Sequence, residues 1–185
     1  MNFSKPNFYI LTGGPGSGKT TLLKALQQDG YAVVPEVARE IIQNQMKTGG
    51  NALPWKDTSL YTQLILEGSV KSYTDRLENN EILFFDRGIP DTLCYSALIG
   101  NGISEAMHAY ATMYRYNPKV FILPPWLEIY ETDNERKQNW EEAEMTYHHL
   151  KTTYEKYRYE VIDVPKTSVE NRKRFVLDVV NGKIS

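Results

Sequence analysis

The chain is poor in the features that would assign it early. It has one cysteine, Cys94, so an internal disulfide is excluded and a reducing compartment is the natural setting. Cys94 lies in a helix-like run, Asp91 to Leu98, and reads as a small core residue. Three histidines, at 108, 148 and 149, show no spacing to a second ligand that would make a zinc site. No apolar stretch approaches the roughly 18 residues of a membrane span. The opening Met1 to Pro6 lacks the form of a signal peptide, and a cytoplasmic protein is expected. The net charge is −2, with no basic stripe to track a nucleic-acid backbone. No repeat, low-complexity tract or linker interrupts the 185 residues, so one domain over 1–185 is expected.

What is present is concentrated near the start. Gly13-Gly14-Pro15-Gly16-Ser17-Gly18-Lys19-Thr20 has the spacing G-x-x-x-x-G-K-[ST], the phosphate-binding loop of P-loop NTPases. An apolar run, Asn7 to Thr12, precedes it. A helical pattern, Thr20 to Gln28, follows with Leu22, Leu23 and Leu26 on one face. Gly13, Gly16 and Gly18 let the backbone turn through positive φ and approach phosphate oxygens closely. Successive amides then form an anion nest, reinforced by the helix N-terminus that carries Thr20 and Thr21. Lys19 is placed to reach the β- and γ-phosphates, and the Thr20 hydroxyl to ligate Mg²⁺. ATP and Mg²⁺ are therefore the expected cofactors.

Beyond the loop, apolar runs alternate with helical patterns. Strands are expected over 31–35, 81–86, 119–123 and 159–164, each followed by a helix. The pattern predicts an α/β fold, a parallel five-stranded sheet in a three-layer αβα sandwich. Ligands in such sheets bind at the carboxyl ends of the strands. Asp86 ends an apolar strand and is a candidate for holding Mg²⁺ or orienting an acceptor hydroxyl. Arg87 beside it could grip substrate. Glu36 ends the second strand and could take a proton from an attacking hydroxyl, with Arg39 one turn on as an acceptor-binding residue. The charged stretch 131–138, within a lid segment of about 131–140, could close over the phosphates. Arg136, then Lys137 and Asp133, would meet the transferring group there. The loop Pro165-Lys166-Thr167 could pass near a base, or be a simple turn. Trp55 is expected to pack under the loop before the third helix.

Several pieces occur in one order. After the phosphate loop come Val34-Pro35-Glu36-Val37-Ala38-Arg39-Glu40, Phe85-Asp86-Arg87-Gly88, Asp133-Asn134-Glu135-Arg136, and Tyr159 to Pro165 before a terminal helix. This resembles the small AAA-domain P-loop ATPases and kinases grouped with the ribosylnicotinamide kinase domain of the bacterial NAD-biosynthesis regulator. The resemblance implies a nucleoside/nucleotide-kinase-like strand order, 2-3-1-4-5. It also implies that Lys19 and Thr20 bind ATP·Mg²⁺, that Glu36 and Arg39 face the acceptor, and that Arg136 belongs to the lid. The 185 residues show no counterpart of the regulator's nucleotide-transferring domain.

Two functions follow as expectations. One is a kinase moving the γ-phosphoryl of ATP to a small nucleoside-like or nucleotide-like metabolite, with Lys19, Glu36, Asp86 and Arg136 as the catalytic set. The other is a stand-alone ATPase or nucleotide-dependent switch. Neither Asn-Lys-x-Asp nor Asp-x-x-Gly occurs, which argues against a Ras-like GTPase, and no Leu-Ser-Gly-Gly-Gln signature supports a transporter ATPase.

Overall fold

Two-residue alternation in the first long strand decides the layering. In β1, Phe8–Gly13, all six residues are buried. Phe8 and Ile10 enter one core and Tyr9 and Leu11 the other. A strand buried on both faces must carry helices on both. The computed structural model describes residues 2–129 and 140–184.

After β1 come α1 (Lys19–Gln28), β2 (Ala32–Val34), α2 (Val37–Thr48) and α3 (Thr58–Thr74). Then follow β3 (Leu83–Asp86), α4 (Ile89–Leu98), α5 (Glu105–Met113), β4 (Lys119–Leu123) and a 3-10 turn, Leu127–Ile129. The chain closes with α6 (Trp140–Lys156), β5 (Glu160–Asp163) and α7 (Val169–Val180). The sheet order is β2-β3-β1-β4-β5, all parallel. The expected 2-3-1-4-5 order and five-stranded α/β sheet are therefore present.

The two faces differ in what covers them. Tyr9, Leu11, Phe84 and Phe121 pack with Leu22 and Leu26 of α1 and Val176 and Val179 of α7. Phe8, Ile10, Phe85 and Ile122 pack with Tyr73 of α3, Leu93 of α4 and Leu150 and Tyr154 of α6. A satellite cluster of Ile42, Leu53, Tyr61 and Ile65 joins α2 to α3.

Sequence and structure differ mainly at boundaries. The sequence pattern that opens at Asp57 or Thr58 predicts a helix to about Glu78, but α3 ends at Thr74. Arg76 and Leu77 donate to Tyr73 and Thr74, three residues back, so the last turn tightens out of α geometry. Phe3–Ser4 pairs in parallel with Tyr114–Arg115, a two-residue ribbon too short to show periodicity. Trp55 does not pack under its loop; it is 59% exposed. Cys94 is buried as expected. The expected lid residues Asp133, Arg136 and Lys137 lie outside the described residues.

Register fixes the strand tips. Leu11 lies opposite Asp86, and Gly13 opposite Leu123. Gly13 has φ 152°, and a Cβ there would come within 2.8 Å of the Leu123 carbonyl oxygen, a backbone atom that cannot step aside. Gly13→Ala should therefore cost about 2 kcal/mol or more of stability. A urea titration checks this. An unchanged midpoint would mean that β4 yields at this point.

Candidate active site

The phosphate loop leaves β1 at Gly13 and enters α1 at Lys19. Gly16 and Gly18 take φ of 73° and 80°. Gly18 also needs its missing side chain for space. A Cβ would stand 2.8 Å from the Arg172 guanidinium, and Arg172 in turn donates to the Ser17 carbonyl at 3.2 Å. The Ser17 hydroxyl donates to the Gly14 carbonyl at 2.8 Å, tying the loop back on itself. The loop is thus a backbone cradle that side chains would fill, which is the shape a polyphosphate requires.

Four of the candidate residues meet at the strand tips. Lys19 is 6% exposed and is ion-paired with Asp86. Burial pushes the Lys19 ammonium down, Arg87 adds to this, and Asp86 and Glu36 pull the other way. Arg87 Nε donates to Glu36 Oε1 at 2.9 Å, and its Nη1 to Asp91 Oδ1 at 3.1 Å. Burial alone would lower the Arg87 guanidinium, but Glu36, Asp91 and Asp86 outweigh it and hold it raised. Arg87 has φ 73°, unusual for a residue with a side chain, and its N–H donates to the Leu11 carbonyl at 3.0 Å. Arg39 lies one turn into α2, half-buried, and is not among the residues lining the neighbouring cavity.

Asp91 was missed as a site residue. Its carboxylate accepts from the Thr12 hydroxyl at 2.5 Å, the Gly88 amide at 2.8 Å, Arg87, and the Tyr154 phenol. Burial, then the charge of Asp91, pushes the Tyr154 phenol far up, so it stays protonated as a donor. In the sequence Asp91 reads as an ordinary helix-start acid and Tyr154 as one aromatic in a stripe. A polar Thr12 ending an apolar strand was the available hint.

A cavity of about 320 Å³ opens beside this cluster. Glu36, Asp86, Arg87 and Asp91 line it with Pro15 of the phosphate loop. Most other walls are apolar or aromatic and come from α2, α3, α4 and α6, among them Ile42, Tyr61, Ile65 and Tyr95. Its size falls at the lower end of small-molecule sites. Among the described residues no cluster of three metal-ligating side chains exists. Among the described residues, Thr20 in the first turn of α1 and Asp86 at the tip of β3 are oxygen donors that could hold a Mg²⁺ carried in on phosphates.

With that geometry in hand, comparison with known proteins decides the lineage. The sequence profile of a family described as an AAA domain matches residues 8–172. The chain belongs to this AAA-domain family. No curated protein matches it by sequence. Among solved structures the AAA-domain chain is similar to the NadR protein in complex with NR, at 18% identity and TM-score 0.69. That match covers 97% of this chain and 50% of NadR, so the chain spans half that protein's length. It is also similar to deoxyadenosine kinase from M. mycoides, at 15% identity and TM-score 0.58, over 96% of this chain and 100% of that one. Thymidylate kinase from Ehrlichia chaffeensis matches at 17% identity and TM-score 0.59, over 94% and 97% of the two chains. The fold is the P-loop fold of nucleoside and nucleotide kinases. Among the described residues no helix is long and apolar enough to cross a membrane.

If Asp91 is the common acceptor that holds this cluster, Asp91→Ala should cost about 3–5 kcal/mol, because it leaves Arg87, Tyr154 and Thr12 without their shared partner. Tyr154→Phe removes one donor of four and should cost about 1–2 kcal/mol. Equal losses for the two variants in denaturant titrations would show that Asp91 is not the hub.

Proposed function

We propose that this AAA-domain protein is a kinase that transfers the γ-phosphoryl group of ATP to a hydroxyl of a small nucleoside-like molecule. The observation that supports this most directly is a cavity of about 320 Å³ abutting the phosphate loop, with the carboxylates Glu36 and Asp86 in its wall. A stand-alone ATPase has no use for a second seat.

Charge favours a hydroxyl over a phosphate as the acceptor. The charged residues lining the cavity are Glu36, Asp86, Asp91 and Arg87. Arg87 is already held by two of those carboxylates. Among the described lining residues, an incoming phosphomonoester would face three carboxylates and an Arg87 already paired twice, and like charges at such range repel strongly. A neutral hydroxyl meets no such barrier.

In the proposed reaction the triphosphate lies along Gly13–Thr21, and Lys19 leaves Asp86 for the phosphate oxygens. The released Asp86 and the Thr20 hydroxyl then form the donor set for Mg²⁺, which supplies charge neutralisation on the phosphates. Glu36, oriented by Arg87, accepts the proton of the acceptor hydroxyl as its oxygen bonds to the γ-phosphorus and the bridge to ADP breaks. Arg136, in the charged segment 131–140, is our further candidate for meeting the transferring group; residues 130–139 lie outside the described residues.

Turnover should therefore depend on the acceptor. With ATP and magnesium, ADP release should be slow alone and rise at least tenfold with a suitable nucleoside, but not with the corresponding nucleoside monophosphate. Lys19→Ala should abolish it, and Glu36→Gln should lower kcat about 10²- to 10⁴-fold. Rapid hydrolysis without any acceptor would instead establish the ATPase switch.

A further inference from the structure

One buried cation takes no part in the reaction above. α7 buries three residues, Arg172, Val176 and Val179. They fall at i, i+4 and i+7, a single helical stripe. Val176 and Val179 pack with Leu22 and Leu26 of α1, and this docks the helix on the sheet. An apolar side chain at 172 would continue the stripe. A guanidinium stands there instead, 5% exposed.

The cations at the strand tips are paired, Lys19 with Asp86 and Arg87 with Glu36 and Asp91. Even Lys173, the next residue along α7, holds Asp29 and Glu170, each at 2.9 Å. Arg172 has no carboxylate partner among the described residues, and burial lowers its guanidinium with no neighbouring charge to raise it. What it touches is the phosphate loop. Its Nη1 donates to the Ser17 carbonyl at 3.2 Å, and its two Nη atoms lie 2.8 and 3.0 Å from where a Gly18 Cβ would stand. Its Cζ lies 5.4 Å from the centroid of the Trp126 ring. A guanidinium cannot shed its proton to escape burial, so a cation without an anion is costly there. The cost is offset when an anion arrives close by. The place built for one is the amide cradle of the phosphate loop, and the main chain of Gly18 is all that parts it from Arg172.

We propose that Arg172 is a positioning residue of the nucleotide site, which fixes the Ser17–Gly18 turn of the phosphate loop and supplies counter-charge for a polyphosphate from behind the main chain. This rests on the phosphate loop as the nucleotide seat and is independent of the acceptor. The guanidinium touches no phosphate and acts in two ways. By engaging the Ser17 carbonyl it keeps that group's negative end from the anion. Its charge also acts across Gly18, where water screens little, so its effect grows with the charge of the ligand.

The test uses Arg172→Met, which keeps the stem and removes the charge, and Arg172→Lys, which keeps the charge. ADP, ATP and inorganic tripolyphosphate are titrated with magnesium into the full chain by calorimetry, and ligand-free melting temperatures are recorded. Arg172→Met should weaken ATP and tripolyphosphate about tenfold or more and ADP less than about threefold, a grading by charge that general loosening of the fold does not produce. Arg172→Lys should recover most of the triphosphate affinity. The ligand-free methionine variant should melt no more than about 4 °C below the parent, because it loses a buried unpaired charge. A methionine variant that melts lower than that, or does not fold, would place Arg172 in the fold's own bonding and overturn the proposal. Equal weakening of ADP and ATP would overturn it too, as would unchanged triphosphate affinity or no recovery with lysine. The graded methionine effect in a protein that transfers phosphate to no nucleoside would sink the kinase reading and leave the role of Arg172 standing. Transfer to a nucleoside with triphosphate affinity unchanged in the methionine variant would do the reverse. A parent chain that binds no triphosphate would overturn both.

Discussion

Five charged groups packed at the tips of three parallel strands, Lys19, Glu36, Asp86, Arg87 and Asp91, constrain everything else in this molecule. Buried charges are tolerated only when each has a partner with good geometry. Here the partners come from segments far apart in sequence, so the sheet must bring them into line. The pairing of Leu11 with Asp86 does this from one side. The amide of Arg87, bonded to Leu11, does it from the next residue. A slip of one residue in β3 would turn Asp86 to the opposite face and strand Lys19. The aromatic cores on the two faces, built from Phe8 and Phe85 on one side and Tyr9 and Phe84 on the other, make that slip costly because it would exchange both at once.

The fold was legible because its signals are local. The spacing of the phosphate loop, strands buried on both faces, and an acid at the end of an apolar run each occupy a few consecutive residues. Lys19 was visible in the loop spacing and Glu36, Asp86 and Arg87 as residues at strand ends, and the structure brings these four together. What stayed hidden depends on contacts between distant segments. Asp91 looks like a helix cap, and it is one for Gly88, but its other three donors come from β1, from Arg87 and from α6. Trp55 went the other way. Its size suggested burial, yet it is 59% exposed, while Ala52 and Leu53 of the same loop are buried.

The two cations at the centre are not equivalent, and the difference divides the site. Arg87 is a planar fork clamped between Glu36 and Asp91 on a backbone turned through positive φ. Moving it would expose two buried carboxylates, so it is a fixed part of the acceptor wall. Lys19 is a point charge on a flexible stem with a single carboxylate partner. Burial already weakens its hold on the proton, and a polyphosphate in the loop offers it more negative charge than Asp86 does. In the proposed reaction the phosphate-loop half is therefore the half that rearranges, exchanging one ion pair for another as nucleotide arrives. The cavity half is built in advance, with Glu36 and Asp91 already paired to Arg87. On that reading acceptors are distinguished by the shape of the wall, since its charges are already committed to one another.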